Sequence, residues 1–116
     1  MDISKDITAK LQELQILERN LQTFSMEKQS SQVELNEIDN ALSELNKSSG
    51  EVYKILSGIM IKSEKNALLK ELNEKKKVLE LKISTIEKNE APFEQKAEKL
   101  RSELNESMSK NKQLYH

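Results

Sequence analysis

The chain has 116 residues, of which 35% are hydrophobic, 3% aromatic and 34% charged. So small an apolar fraction is too little for a packed globular core, while its regular spacing argues against disorder, and this combination favours a coiled coil. The 19 basic and 20 acidic residues are interspersed and leave a net charge of −1, which argues against a nucleic-acid-binding protein because such a protein needs a basic stripe.

The first predicted element is a long helix with its terminator, over residues 1–49. Apolar residues recur at intervals of three and four positions from Ile3 to Leu45, which is the heptad pattern of a coiled coil. The segment 48–50, Ser-Ser-Gly, consists of turn-forming residues, and glycine commonly follows the end of a helix. The helix is therefore expected to stop there.

The second predicted element is a β-hairpin over residues 50–62. The stretch EVYKILSGIMIK, residues 51–62, is rich in β-branched and apolar residues and carries Gly58 between two apolar runs. This pattern predicts two strands joined by a Ser57-Gly58 turn, and the alternative is a helical continuation or a loop. Both faces of the ribbon are apolar and both edges are unpaired, so we expect several copies or related chains to pool their hairpins in a closed β-barrel.

The third predicted element is a second long helix over residues 63–116, with Ser63 as its N-cap. The heptad positions of the two helices lie at equal distances on either side of residue 57, so that Leu17, for example, faces Ala97. This agreement predicts antiparallel pairing. The fold class is therefore α-dominated: a long antiparallel coiled-coil helical hairpin with a central β-hairpin that joins an oligomeric β-barrel, in one domain of residues 1–116.

The middle of the predicted pair is poorly matched. Lys28 and Ser31 face isoleucines, Phe24 faces Glu90, and Pro92 lies inside the second helix. An interior proline removes a helix hydrogen bond and commonly bends the helix. The sequence therefore predicts either a splayed waist or a slightly irregular coil in which polar side chains reach out to solvent.

The free ends of the two helices carry more apolar side chains than the pairing can bury. Ile3 and Ile7 face polar residues, and Leu104 faces Lys10. Some apolar side chains must therefore be exposed, either as ordinary frayed ends or as a binding surface.

Catalysis has little support in the sequence. The single histidine is the last residue, there is no cysteine, and two glycines cannot form a phosphate-binding loop. We expect no enzyme, no metal and no cofactor. Without a signal peptide or a membrane-length apolar run, the chain is expected to be soluble and cytoplasmic, and the run Lys75–Lys77 is interpreted as a solvated helix face. A membrane-surface helix is disfavoured because neither arm has a wide apolar face with a lysine rim.

The sequence VYKILSGIMIKSEKNALLKEL, lying between two heptad arms, resembles the prefoldin family, and in particular its archaeal-type beta subunits. The resemblance covers nearly the whole chain, and one hairpin rather than two favours the beta type. Pro92 departs from the family pattern. The resemblance implies an ATP-independent chaperone: a hexamer of two alpha and four beta subunits that holds non-native polypeptides at its coiled-coil tips and passes them to a group II chaperonin.

The resemblance also implies roles for particular residues. The oligomer interface would comprise Val52, Tyr53, Ile55, Leu56, Ile59, Met60 and Ile61. Substrate-binding positions would be Ile3, Ile7, Leu11, Leu104, Met108 and Leu114. The alternative function is a structural or tethering coiled coil that forms a homodimer through its seam, and the stoichiometry of assembly distinguishes the two.

Overall fold

The computed structural model describes the backbone of residues 3–114 and the side chains of residues 4–110. Two helices flank a two-stranded sheet, in the order α1 (Ile3–Lys47), β1 (Val52–Leu56), β2 (Ile59–Ser63) and α2 (Lys65–Leu114). This is the order that the sequence predicts. Within the described residues, neither helix has a stretch long and apolar enough to cross a membrane.

The end of α1 is capped by the start of α2. The backbone N–H of Ser48 donates to the carbonyl of Glu44 at 3.1 Å, which closes the last turn. The ammonium of Lys65 donates to the carbonyl of Ser48 at 2.8 Å. A positive charge at a helix C-terminus satisfies carbonyls that have no partner within the helix and complements the helix dipole. Lys65 thereby ties the two helices together at the base of the β-hairpin.

The prediction that Ser63 is the N-cap of α2 is wrong. Ser63 is the last residue of β2 and pairs with Val52. Its hydroxyl donates to the carbonyl of Ile61 at 3.4 Å. The first bond of the following turn runs from the N–H of Leu68 to the carbonyl of Glu64 at 3.0 Å, which puts Glu64 at the N-cap position. The strand ladder continues one residue further than predicted, so the helix begins later.

The helix pair divides into two compact units, a terminal unit (Met1–Glu27 with Ile86–His116) and a central unit (Lys28–Thr85). In the terminal unit, Leu17, Ala97 and Leu100 form a buried cluster. Partly buried apolar side chains pack against this cluster: Leu14, Leu21 and Phe93. These are the residues that the antiparallel register predicts to face one another. The buried apolar residues of the central unit also lie on the predicted seam: Leu35, Leu42, Leu45 and Leu79.

Two features differ from the poorly matched middle that the sequence suggests. Phe24 does not depend on Glu90 for packing, because its ring packs edge-to-face on Phe93 with the centroids 5.3 Å apart. Such an aromatic pair stabilises beyond the area that it buries. Pro92 lies on the exposed side of an uninterrupted α2. The splayed waist itself stays a prediction.

Candidate functional site

The turn of the β-hairpin fixes its register. Leu56 pairs with Ile59, and the two residues between them, Ser57 and Gly58, have φ angles of 50° and 78°. Positive φ at both central residues is typical of a type I′ turn, whose twist matches that of the flanking strands. The predicted turn and register are therefore confirmed. Glycine adopts this conformation freely, whereas serine is strained in it.

Side chains alternate between two faces of the hairpin, as the pairing requires. The Lys54 face carries Val52, Lys54, Leu56, Ile59 and Ile61, and the Tyr53 face carries Tyr53, Ile55, Met60 and Lys62. Six of the seven predicted interface residues are exposed, from 44% for Ile61 to 70% for Ile55, and Val52 is half-buried. A sheet of only two strands also leaves an unpaired edge on each strand within the described chain. So much apolar surface and free edge in so short a segment is typical of an interaction site.

A carboxylate organises the Tyr53 face. The hydroxyl of Tyr53 donates to Glu51 at 2.6 Å, and the ammonium of Lys62 donates to the same carboxylate at 3.1 Å. The Tyr53 hydrogen bond, followed by that of Lys62, lowers the pKa of Glu51. The bond to Glu51 raises the pKa of Tyr53. The two polar side chains of this face therefore both bind Glu51, which precedes β1. Ile55 and Met60 are the apolar residues of the same face.

An ion pair attaches the other face to α2. The ammonium of Lys54 lies 2.7 Å from a carboxylate oxygen of Glu71, and Lys75 lies 3.7 Å from the same oxygen. The hydrogen bond from Lys54 is the largest cause of a lowered pKa at Glu71. Because Lys54 belongs to β1 and Glu71 to α2, this contact holds the ribbon against the helix pair.

The free end of the helix pair contains one predicted binding residue that is buried. Leu104 is only 5% exposed, so the expectation that it is available to a client is wrong. Lys10, its predicted partner, extends its ammonium to Asp6 at 3.3 Å and Glu103 at 3.5 Å. A lysine that points its charge outward leaves its alkyl stem to cover the seam. The hydrogen bond to Asp6 raises the pKa of Lys10.

Two other predicted binding residues are exposed in the terminal unit. Leu11 is 43% and Met108 is 52% exposed. Glu18 and Arg101, one heptad nearer the hairpin on each helix, contact each other at 3.4 Å. Because a coiled coil repeats its geometry every heptad, we expect Leu11 to lie beside Met108. Among the remaining predicted positions, Ile7 is half-buried, and the side chains of Ile3 and Leu114 lie outside the described residues.

Several further apolar side chains are exposed that the sequence did not predict as binding residues. They lie away from the seam: Ile16, Met26, Val33, Val78 and Leu81. Their signal in the sequence is an apolar residue at an outer heptad position, where a coiled coil ordinarily has a polar one.

The fold and these surfaces define a class of protein: an antiparallel coiled-coil hairpin of helices with an exposed apolar β-hairpin at its bend. The family model described as "Prefoldin subunit" matches residues 8–111. The chain therefore belongs to the prefoldin family of chaperone subunits, as its sequence suggests.

Individual relatives agree with this assignment. Prefoldin subunit beta of Saccharolobus islandicus (strain L.S.2.15 / Lassen #1) is 35% identical over 107 residues, which cover 90% of this chain and 85% of the relative. Prefoldin subunit beta of Pyrobaculum calidifontis is 34% identical over 92 residues, covering 78% and 74% of the two chains. The crystal structure of the prefoldin beta subunit from Thermococcus strain KS-1 superposes with a TM-score of 0.82 at 28% identity, covering 91% of this chain and 95% of that chain.

Proposed function

We propose that this chain is the beta-type subunit of a hexameric prefoldin with two alpha-type and four beta-type subunits. The exposed apolar hairpin supports this proposal, because a ribbon with two free edges is completed only by further strands. Pooling hairpins in a β-barrel buries both faces and removes the edges. The hexamer works in the cytoplasm.

In this proposal the assembled protein is an ATP-independent holding chaperone, which binds apolar segments of non-native polypeptides at the free ends and passes them to a group II chaperonin. The observation that carries the client-binding role is the exposure of Leu11 and Met108 near those ends, where the heptad repeat is expected to bring them together as a pair. Each pair buries little client surface, but several ends fixed on one body act together and gain avidity. Methionine suits a surface that accepts many sequences.

Ile3, Ile7 and Leu114 remain candidate binding positions, whereas buried Leu104 acts as a seam residue. A tethering homodimer that forms through the seam is not favoured, because the cluster of Leu17, Ala97 and Leu100 already fills the seam within one chain.

The test is suppression of aggregation of a chemically denatured enzyme by the assembled protein. The double variant Leu11→Ser/Met108→Ser is expected to bind client roughly tenfold more weakly, since burial of one apolar side chain stabilises by about 1.5–3 kcal/mol when complete and by less at a partly exposed site. The control is Ile16→Ser/Met26→Ser, which removes side chains of similar type and exposure from outer helix positions. Equal protection by the two variants would show that client binding does not depend on Leu11 and Met108.

A further inference from the structure

The central unit contains a surface groove that neither assembly through the hairpin nor client binding at the ends uses. The groove has a volume of about 710 Å³ and runs between residues 34–38 of α1 and 71–79 of α2. Its floor is apolar and consists of Ile38, Leu72 and Leu79. Val78, which is 65% exposed, forms part of its wall.

The rim of this groove is acidic. Glu34 and Glu37 lie along the α1 side, and Glu71 and Glu74 along the α2 side. In the described part of the chain, Lys75 is the one cation of the lining, and it contacts Glu71 together with Lys54. Both of the described cations that contact a carboxylate of the lining therefore contact the same one, Glu71.

The other three rim carboxylates have no contacting cation among the described residues. Within the described part of the chain, Glu34, Glu37 and Glu74 form no salt bridge or side-chain hydrogen bond, and all three are exposed. Interhelical carboxylates outside the groove lining have cations close by: Asp39 with Lys76 at 2.8 Å in the central unit, and Glu13 with Lys96 at 3.0 Å, Glu18 with Arg101 at 3.4 Å and Glu103 with Lys10 at 3.5 Å in the terminal unit. The lack of a contacting cation therefore distinguishes Glu34, Glu37 and Glu74 from these interhelical carboxylates.

The combination of an apolar floor and anionic walls selects the chemistry of an occupant. Nucleic acid and anionic lipid are repelled by the carboxylates. A metal ion is not favoured, since no group of three potential ligands is arranged to hold one among the described residues. A polypeptide helix with apolar residues at positions i, i+3 or i+4 and i+7, flanked by lysine or arginine, matches both the floor and the rim. The span from Glu71 to Leu79 corresponds to about two turns of such a helix.

We propose that this groove is a docking site for a cationic amphipathic helix of a partner protein. Helix docking in this groove does not rest on the function proposed above, although Glu71 of the rim also binds Lys54 of β1. Its proposed use does rest on that function: the groove would recruit a partner while client remains bound at the ends. Because uncompensated carboxylates provide part of the attraction, docking weakens as salt concentration rises.

The test uses a fluorescent synthetic peptide of 14 residues, built from leucine and lysine with the leucines on one helical face, and the full-length protein. The groove variant Glu34→Gln/Glu37→Gln/Glu74→Gln is expected to bind this peptide about tenfold more weakly, since three favourable surface charges are lost. The matched control, Glu87→Gln/Glu94→Gln/Glu98→Gln, also removes three exposed carboxylates. It should change affinity less than twofold. Equal weakening by the two variants would overturn the proposal.

The apolar part of the site is tested with single substitutions of two exposed residues on α2. Val78→Ser is expected to weaken peptide binding about fivefold, whereas Leu81→Ser, which alters a residue of similar exposure outside the groove, should leave it unchanged. The Leu11→Ser/Met108→Ser variant separates this site from the free ends. Full peptide affinity in that variant supports a groove site, and loss of affinity there, with Val78→Ser unaffected, would place peptide binding at the ends and refute the proposal.

Discussion

Ser31 is a polar residue at a fully enclosed seam position. It is 2% exposed, and its hydroxyl oxygen has no hydrogen-bond partner among the described residues. A buried polar group without a partner loses its hydration and gains nothing in return, which costs about 1–3 kcal/mol. The serine side chain is nevertheless small, so the seam can close around this position.

We expect Ser31→Ala to raise the free energy of unfolding by about 1 kcal/mol, because it removes the unsatisfied hydroxyl with little change in volume. The neighbouring exposed residue provides a control, since Ser30→Ala makes the same change in helix propensity without removing a buried group. Urea unfolding at fixed protein concentration measures both. No difference between the two variants would mean that the Ser31 hydroxyl is satisfied in solution.

Ser57 is strained for a different reason, which lies in the backbone. Its φ of 50° falls in the left-handed region that asparagine and glycine tolerate better than other residues. Ser57→Asn gives the Asn-Gly pair that type I′ turns prefer, and we expect it to stabilise the chain by roughly 0.5 kcal/mol. Ser57→Val should destabilise by about 1 kcal/mol or more, because a β-branched side chain clashes in this conformation. Thermal unfolding of the two variants should shift in opposite directions from the parent chain.

At the scale of elements, the attachment of β1 to α2 depends on an ionised carboxylate. Lys54 lowers the pKa of Glu71 below its ordinary value of 4.5. A carboxyl group whose pKa is lower in the folded state stabilises that state when it is ionised in both states. This stabilisation is therefore present above about pH 4.5 and is lost as the pH falls through the folded-state pKa of Glu71.

We expect Lys54→Gln to return the pKa of Glu71 towards 4.5, because the largest cause of its shift is removed. Lys75→Gln should have a smaller effect on this pKa, because the Lys75 ammonium lies 3.7 Å from the Glu71 carboxylate oxygen, whereas the Lys54 ammonium lies 2.7 Å from it. Carboxyl-carbon NMR titration reports both values directly. The melting temperature of Lys54→Gln should fall below that of the parent at neutral pH and converge with it in acid. A Glu71 titration unchanged by Lys54→Gln would mean that the ion pair is not formed in solution.

The elements themselves could be predicted from the sequence because each depends on a local pattern. The heptad spacing predicts both helices and the pairing of Leu17 with Ala97. A Ser-Gly pair between apolar runs predicts the turn. The start of α2 could not be predicted in the same way, because Ser63 is a good N-cap by type and only its pairing with Val52 decides that it stays in the strand.

The exposure of the candidate binding residues could also be predicted only in part. Leu11 and Met108 are exposed as expected, but Leu104 is buried because Lys10 extends its charge outward to Asp6 and Glu103. A pairing of residue types cannot show which way a long lysine side chain turns. The acidic groove could not be predicted from the sequence either, because the sequence does not show which glutamates lack a contacting cation.

At the scale of the whole molecule, the seam buries apolar side chains within one chain, and the hairpin is expected to bury them between chains. Ile55 and Met60 are directly paired on the Tyr53 face and are 70% and 65% exposed. Little packing within the chain would be lost by changing them. Any large effect of their replacement must therefore arise from contacts with other chains.

We expect Ile55→Lys/Met60→Lys to prevent assembly with an alpha-type partner while helix content stays constant. Burial of two such side chains stabilises by about 3–6 kcal/mol, so exchanging them for buried charges should weaken association at least a hundredfold. The control, Ile16→Lys/Leu81→Lys, adds the same charge at helix positions of similar exposure and should assemble normally. Native mass spectrometry of each variant, co-expressed with the partner, measures stoichiometry, and circular dichroism measures helix content. A hexamer formed by the hairpin variant would exclude the Tyr53 face from the interface and leave assembly to the Lys54 face or the strand edges.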